Sequence, residues 1–325
     1  MAVDRALSRV VLGVSVGLLF VLVVGCTPSA SKGQTGERSE SATDVVRAQR
    51  PRFDGARAMA NLRAQCAFGP RIPGTAAHRR CRDWLVTELK RYTDRVEVQD
   101  FTYRTLALSN IVAYVHPKAK RQVLLCAHWD TRPVADEEIN PARRRQPVPG
   151  ANDGASGVAV LLEIARLFHS QQPEIGVVIA LFDGEDYGDF ARDEGVFLGS
   201  RRFARSIKDV GPLSYGILLD MVGDRDLRIY REVISDERAR AVNDRVFGVA
   251  KRLRYSRYIV DQVRYTISDD HVPINDAGVP CIDLIDFDYP YWHTVDDTPD
   301  KCSSDSLAIV GETVAEVIYS ERSDR

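Results

Sequence analysis

Short apolar runs alternate with longer amphipathic segments along most of this chain. Two of the runs, 123–127 and 177–182, are continuously apolar, as strands covered on both faces of a sheet must be. The other runs are rich in β-branched and aromatic residues and are bounded by turn residues, which is typical of strands. We predict strands at Val96–Tyr103, Ser109–Val115, Gln122–His128, Gly176–Phe182, Ser214–Met221 and Cys281–Ile285.

Helical spacing of apolar residues marks the segments between these strands. In one of them Val158, Leu161, Leu162 and Ala165 recur at helical spacing, which predicts a stripe packed against the sheet. Strands alternating with helices indicate an α/β fold, with a mixed, mostly parallel central sheet and helices on both faces. The predicted helices are Asp54–Cys66, Thr75–Tyr92, Ala155–Ser170, Ser200–Lys208, Asp236–Leu253 and Ser303–Tyr319.

The first 26 residues differ from the rest of the chain. A basic start precedes an apolar run, 10–25, that ends at Cys26. The run is shorter than the roughly 20 residues of a bilayer span, and its Leu-Val-Val-Gly-Cys ending resembles a bacterial lipoprotein box. We predict a lipoprotein signal peptide over 1–26, a flexible tether over 27–43 and a single domain over 44–325. An ordinary signal anchor is the alternative.

This interpretation predicts an exported protein that is attached to the bacterial cell envelope, on the periplasmic or cell-surface side, through a lipid on Cys26. The 44 basic and 46 acidic residues nearly balance, so the molecule carries no field that would attract nucleic acid. Small partners are therefore favoured. We also expect a monomer. Of the six cysteines, the five after Cys26 cannot all pair, and their spacing does not suggest a thiolate metal site.

Polar side chains that can bind a metal follow the apolar runs. The carboxyl ends of strands in an open α/β sheet form the crevice where ligands bind, so these side chains are expected to converge. Asp153 lies in a glycine-rich segment before a predicted helix, where small residues permit close backbone approach. The residues at or beyond the strand ends are His128, Asp130, Asp183, Glu185, Asp186, Asp220, the segment 283–288, Trp292 and His293.

Carboxylates and imidazoles without cysteine are the ligands of a catalytic zinc site that keeps a position open. Asp153, Asp186 and His293 would supply three ligands, and Glu185, next to Asp186, would handle a proton. A single Asp after a strand is more often a turn or capping residue. The coincidence at several strand ends favours the metal site.

Five sequence blocks carry a family resemblance. In chain order they are Ala-His-Trp-Asp, Gly-Ala-Asn-Asp-Gly-Ala-Ser-Gly, Phe-Asp-Gly-Glu-Asp, Leu-Gly-Ser-Arg-Arg-Phe-Ala and Leu-Leu-Asp-Met-Val-Gly. This order resembles the M28 family of zinc peptidases across residues 55–320. The blocks Asp-Asp-His-Val-Pro and Trp-His-Thr-Val-Asp-Asp resemble its glutaminyl-peptide cyclotransferase branch. The resemblance implies a zinc exopeptidase-like version of the predicted fold.

The resemblance also implies an activity, cyclisation of an N-terminal glutamine to pyroglutamate with release of ammonia. It implies one zinc on the three ligands named above, with Glu185 as proton shuttle. Asp220 and Asp269 would position Glu185 and the substrate amine, and Trp292 would pack on the glutamine side chain. Asp186 stands where the branch has glutamate, and Asp283 stands where animal cyclotransferases carry histidine.

Two alternatives remain open. In a dinuclear aminopeptidase of the same family, which removes N-terminal residues from peptides, His128 and Asp220 would bind a second zinc and Asp153 would bridge the pair. A non-catalytic binding protein is disfavoured, because every ligand is present. The loop 133–149 is either a lid or a solvated excursion. His271 is expected to order its own loop, and we assign no role to His78, His116 and His169, which are expected far from the strand ends.

Overall fold

The main sheet of this protein has six strands. The computed structural model describes residues 50–323 of the chain. The predictions for the signal peptide, the tether and Cys26 lie outside these residues. A separate sheet has two strands, Ile229–Glu232 (β6) and Ile259–Tyr265 (β7). The strands are β1 Arg95–Tyr103, β2 Leu106–Val115, β3 Gln122–His128, β4 Gly176–Phe182, β5 Leu213–Asp220, β6 Ile229–Glu232, β7 Ile259–Tyr265 and β8 Cys281–Ile285.

The strand order of the large sheet is β1-β2-β4-β3-β5-β8. Strands β4, β3, β5 and β8 are parallel to their neighbours in this series, whereas β2 is antiparallel to both β1 and β4. All strands of this sheet except β2 therefore run in one direction, which confirms the predicted mixed, mostly parallel sheet. The carboxyl ends of β3, β4, β5 and β8 consequently lie along one edge.

Helices cover both faces of the sheet, as predicted. The described helices are α1 Gly55–Cys66, α2 Ala76–Lys90, α3 Ala155–Ser170, α4 Leu198–Ala204, α5 Ile207–Val210, α6 Val233–Arg238, α7 Arg240–Arg252, α8 His271–Asp276 and α9 Ser304–Tyr319. Within residues 50–323 no helix is long and apolar enough to cross a bilayer. Helices α1, α2, α3, α7 and α9 pack on one face of the sheet in a large apolar core, and α4, α5 and α8 contribute to a smaller core on the other face.

Side-chain caps decide where three of the predicted helices begin. Asp54, Thr75 and Ser303 were expected as first helical residues, but each lies one position outside its helix. The side chain of each accepts the backbone N–H of the residue three positions later, at 3.0, 3.2 and 3.1 Å respectively. A short polar side chain in that position stabilises a helix start by about 1 kcal/mol.

Other differences between the predicted and the observed elements arise where the pattern of apolar residues gives little information. The predicted helix 200–208 is divided between α4 and α5, and the predicted helix 236–253 is divided at Ala239, where φ is −138°. The apolar spacing continues across both breaks, so the sequence does not reveal them. Strands β6 and β7 were not predicted, because β6 has four residues and β7 is largely exposed and polar. The short helix α8 was also missed.

Gly157 allows α3 to lie directly on β5. A Cβ atom at this position would be 2.1 Å from the carbonyl oxygen of Leu219 and 3.0 Å from Cβ of Ala127. Overpacking of a core costs about 1–3 kcal/mol, which exceeds the roughly 0.5–1 kcal/mol that alanine gains over glycine in a helix. We therefore expect Gly157→Ala to lower the free energy of unfolding, measured by denaturant titration.

Gly248 in α7 provides the matched control. Its added Cβ would meet nothing closer than the Arg252 Nη1 atom at 3.9 Å. Gly248→Ala should therefore raise the free energy of unfolding by about 0.5–1 kcal/mol. Equal effects of the two substitutions would contradict the close approach of α3 and β5.

Candidate active site and metal centre

Buried polar side chains collect along the sheet edge where β3, β4, β5 and β8 end. His128 and Asp220 are the last residues of β3 and β5, and the segment with Glu185 and Asp186 follows β4. Asp153 precedes the first turn of α3. The structure thus brings together side chains that lie far apart in the sequence, as the strand-end pattern predicted.

Asp153, Asp186 and His293 form one cluster, in which one possible ligand atom from each residue lies within 4.8 Å of the others. His293 Nε2 is 3.2 Å from Asp186 Oδ1 and 3.7 Å from Asp153 Oδ2. Asp186 Oδ2 is buried and has no hydrogen-bond partner among residues 50–323. Two carboxylates, one imidazole and an unpartnered buried acceptor fit a divalent metal that keeps an open position.

A second cluster contains His128, Asp153 and Asp220. His128 Nε2 is 3.0 Å from Asp153 Oδ1 and 3.1 Å from Asp220 Oδ1. The two carboxylate oxygens of Asp153 therefore face different histidines, since Oδ2 faces His293. This arrangement is compatible with one metal ion or with two ions that share Asp153.

Glu185 lies next to Asp186 and is 6% exposed. Its Oε2 atom is 3.8 Å from His128 Nδ1. Burial raises the pKa of Glu185 well above its ordinary value; the charge of His128 opposes this rise and the charge of Asp186 adds to it. A carboxyl group with a raised pKa is suited to accept and return a proton near neutral pH.

Two buried carboxylates hold the backbone of the ligand segments. Asp130 accepts the backbone N–H groups of Glu185 at 3.2 Å and Asp186 at 3.3 Å. Asp297 accepts the backbone N–H of Asp153 at 3.1 Å and the hydroxyl of Tyr289 at 2.7 Å. Both residues lie in the sequence blocks that carried the resemblance, but no local pattern in those blocks indicates this role.

The residue after Asp153 has to be glycine. Gly154 has a φ of +94°, and a Cβ atom there would be 2.6 Å from the carbonyl oxygen of Asp130 and 3.0 Å from His128 Cε1. His293 also adopts a left-handed backbone, with a φ of +53°. Left-handed backbone is uncommon outside glycine and concentrates at functional sites.

His78 corrects one expectation. It was assigned no role because its helix was expected to be far from the strand ends, but its Nε2 atom lies 2.9 Å from Asp183 Oδ1. Its ring also stacks on Trp129, with centroids 4.3 Å apart. His78 therefore connects α2 to the segment that follows β4. Periodicity in α2 cannot reveal this contact, which depends on how the helix crosses the sheet.

A group of buried acids lies behind the two clusters. Burial raises the pKa of Asp269 to about 7, and the nearby charge of Asp220 contributes to this rise. Both carboxylate oxygens of Asp283 are buried without a hydrogen-bond partner in the described part of the chain. His271 begins α8 and its Nε2 atom lies 3.3 Å from Glu232 Oε1, so it belongs to neither metal-binding cluster.

Trp292 lies beside the first cluster. Its ring stacks on that of His293, with centroids 4.0 Å apart and an interplanar angle of 27°. On another side it contacts Phe287, with centroids 5.4 Å apart. Trp292 also packs against a small apolar cluster that includes Met221 and Tyr289. An aromatic surface therefore borders the polar site.

The family model for peptidase family M28 matches residues 110–318. The chain therefore belongs to peptidase family M28, in agreement with the fold and with the carboxylate and imidazole clusters.

Three examples illustrate which known proteins are similar to this chain. The glutaminyl cyclase of Bacteroides thetaiotaomicron, solved with N-acetylhistamine bound, is 39% identical; the match covers 84% of this chain and 100% of that one, with a TM-score of 0.81. A leucine aminopeptidase precursor from the same organism is also 39% identical; the match covers 84% of this chain and 99% of that one, with a TM-score of 0.81. The glutaminyl-peptide cyclotransferase of Drosophila melanogaster is 27% identical over 275 residues, which are 74% of this chain and 75% of that protein.

Buried carboxyl groups are expected to make the metal-free protein more stable in mild acid. Burial raises the pKa of Asp183 to about 6 and the pKa values of Asp269 and Asp286 to about 7. The unfolded chain releases these protons near pH ~4, so the folded state holds more protons between about pH 4 and pH 7. The free energy of unfolding therefore falls as pH rises through this window, and the thermal midpoint after chelator treatment should be lower at about pH 7.5 than at about pH 5.

Metal loading is expected to oppose this trend, because the ligands must lose their protons to bind a cation. The difference in thermal midpoint between zinc-loaded and metal-free protein should therefore increase over the same pH interval. A metal-free midpoint that rises with pH would contradict the raised pKa values of the buried acids.

Proposed function

We propose that this protein is a zinc-dependent glutaminyl-peptide cyclotransferase, which converts the N-terminal glutamine of a peptide into pyroglutamate and releases ammonia. The observation that carries the proposal is a buried Glu185 beside the cluster of Asp153, Asp186 and His293. Similarity to a bacterial glutaminyl cyclase over the full length of that chain supports it.

We assign Asp153, Asp186 and His293 as the ligands of one zinc ion. Carboxylate and imidazole donors, without thiolates, suit a catalytic zinc site. When bound, the zinc would supply Lewis acidity that polarises the γ-carbonyl group of the glutamine.

In the reaction the α-amine of the glutamine attacks its own side-chain carbonyl carbon. A carbon–nitrogen bond forms within a five-membered ring, and the bond to the amide nitrogen breaks. Glu185 takes a proton from the amine and returns it to the departing nitrogen, so one carboxyl group serves both steps. Because the nucleophile is already tethered to the electrophile, positioning contributes much of the rate.

The remaining site residues would orient these groups. Asp220 and Asp269 would position Glu185 and the substrate amine; all three carboxyl groups are buried, and the nearby charge of Asp269 contributes to the raised pKa of Glu185. Trp292 would cover the methylene groups of the glutamine, because its ring lies beside that of His293.

A dinuclear aminopeptidase is the second candidate. The cluster of His128, Asp153 and Asp220 favours it, because its ligand atoms also lie within 4.8 Å of one another. Similarity to a leucine aminopeptidase precursor is a further argument. In this case two zinc ions would share Asp153, and Glu185 would activate a water molecule for attack on the peptide bond.

We also propose that the protein is exported and held at the cell envelope by a lipid on Cys26, with residues 27–43 as a tether. The apolar run that ends in Gly-Cys supports this proposal.

Substrate choice separates the two candidates. Incubation with a glutaminyl dipeptide should release ammonia and form the ring product, whereas a leucyl amide should release little free leucine.

Glu185→Gln should lower the rate of cyclisation by about 10²–10⁴-fold, because it removes the proton acceptor. The matched control is Glu137→Gln, an exposed acidic residue, which should retain the parental rate. Full turnover by Glu185→Gln would contradict both mechanisms, and leucine release alone would favour the aminopeptidase.

Metal content provides a second discrimination. We expect one zinc per chain in the purified protein, measured by elemental analysis. His293→Ala should lose this zinc, whereas His128→Ala should retain it, because His128 belongs only to the second cluster. Two zinc ions per chain, with one lost in His128→Ala, would instead support the aminopeptidase.

A further inference from the structure

The loop 133–149 is closed at its base and exposed at its tip. The backbone N–H of Ala135 donates to the carbonyl oxygen of Gln146 at 2.8 Å, and that of Val148 donates to Arg132 at 3.1 Å. Ile139, near the tip, is 91% exposed. Arg132, at the base, is only 5% exposed although it carries a full charge. A buried guanidinium needs hydrogen-bonding or charged partners. The partners of Arg132 therefore indicate the role of the base of the loop.

Arg132 connects this loop to the metal-binding cluster. Its Nη1 atom donates to Asp186 Oδ1 at 3.0 Å. Its Nε atom donates to Asp136 Oδ1 at 2.7 Å, and Nη2 donates to Asp136 Oδ2. The planar guanidinium therefore holds the Asp136 carboxylate through two bonds, which fixes its orientation.

Asp136 in turn contacts His293. Its Oδ1 atom is 3.3 Å from His293 Nδ1, while Nε2 of the same ring faces Asp153 and Asp186. A histidine that binds a metal through one ring nitrogen usually donates its other N–H to a carboxylate or carbonyl group. The contact therefore has the form expected for a carboxylate behind a ligand histidine.

The aromatic neighbours of His293 cannot replace this contact. Trp292 stacks on the ring at 4.0 Å, and Phe190 lies 5.9 Å away, so both restrict the plane of the imidazole. A half-turn of the ring about the Cβ–Cγ bond keeps it in that plane but puts carbon atoms where the two nitrogens were, and an aromatic face does not distinguish the two orientations. A polar partner on one edge of the ring does distinguish them, because it favours the orientation that places Nδ1 beside it and Nε2 toward the cluster.

We propose that Asp136, held by Arg132, is a positioning residue of the metal centre that fixes the His293 ring with Nε2 directed at Asp153 and Asp186. The side chain of Asp136 is 42% exposed, so solvent screens its charge and its effect is mainly one of orientation. The base of the loop is then a support of the metal centre. This inference rests on the metal site in the proposed function, but not on cyclotransferase activity.

The test measures zinc affinity of the full chain by competition with a chelator. Asp136→Ala should weaken zinc binding by about 10–100-fold, the usual effect of losing a carboxylate behind a ligand histidine. Asp136→Asn keeps an oxygen acceptor and should lose less. Glu137→Ala, the neighbouring exposed residue, is the matched control and should retain the parental affinity.

Turnover at saturating zinc provides a second measurement. Because Asp136 acts through His293, added zinc should restore the rate of Asp136→Ala, whereas Glu185→Gln should stay inactive. Parental zinc affinity in Asp136→Ala would overturn the inference. If this variant does not fold, Asp136→Ser replaces it, with the same expected loss and the same contrary result. The zinc measurement does not depend on the substrate, so failure of the cyclotransferase assay would leave it intact.

Discussion

Buried negative charge is concentrated at the carboxyl ends of four parallel strands, and the surrounding residues must compensate for it. Asp153, Glu185, Asp186 and Asp220 are all less than 10% exposed, and two histidines lie between them. Buried carboxylates are stable only when they are protonated, hydrogen-bonded or paired with a cation. Burial and the charges of neighbouring carboxylates raise the pKa values of Glu185, Asp186 and Asp220. A divalent cation would neutralise the same buried negative charge, and the cluster therefore fits a metal.

The surrounding fold satisfies this constraint in layers. The parallel strands bring the ligand segments to one edge, and the continuous apolar runs of β3 and β4 keep water away from beneath them. Asp130 and Asp297 then hold the backbone of those segments through N–H groups. The third layer contains His78 and Arg132, which pair with Asp183 and Asp186 from outside the sheet. The residues of each layer restrict the movement of the residues in the layer closer to the site.

The same ligand set is compatible with two chemistries, because the two clusters share Asp153. Ring closure and peptide hydrolysis both need a polarised carbonyl group and a carboxyl group that moves a proton. What differs is the nucleophile, an amine of the substrate or a water molecule. Features beside the ligands therefore decide the reaction. Beside the ligands lie Trp292, on the ring of His293, and the buried acids around Asp269, and we propose that these groups select the nucleophile.

Local sequence pattern was enough to predict the α/β architecture and the convergence of the proposed metal ligands. Strands β3 and β4 were predicted with the bounds that the structure gives, because a buried strand is a mostly continuous apolar run and its signal is local. The bounds of β8, which carries Asp283, were also predicted. The meeting of Asp153, Asp186 and His293 was also predicted, since parallel strands must end at one edge; that they bind zinc stays a prediction. Tertiary structure alone decided the contacts of His78 with Asp183 and of Asp136 with His293, and the pairing of β6 with β7. These contacts join side chains or short exposed strands that no local periodicity relates, so they become visible only when helices and loops have packed around the sheet.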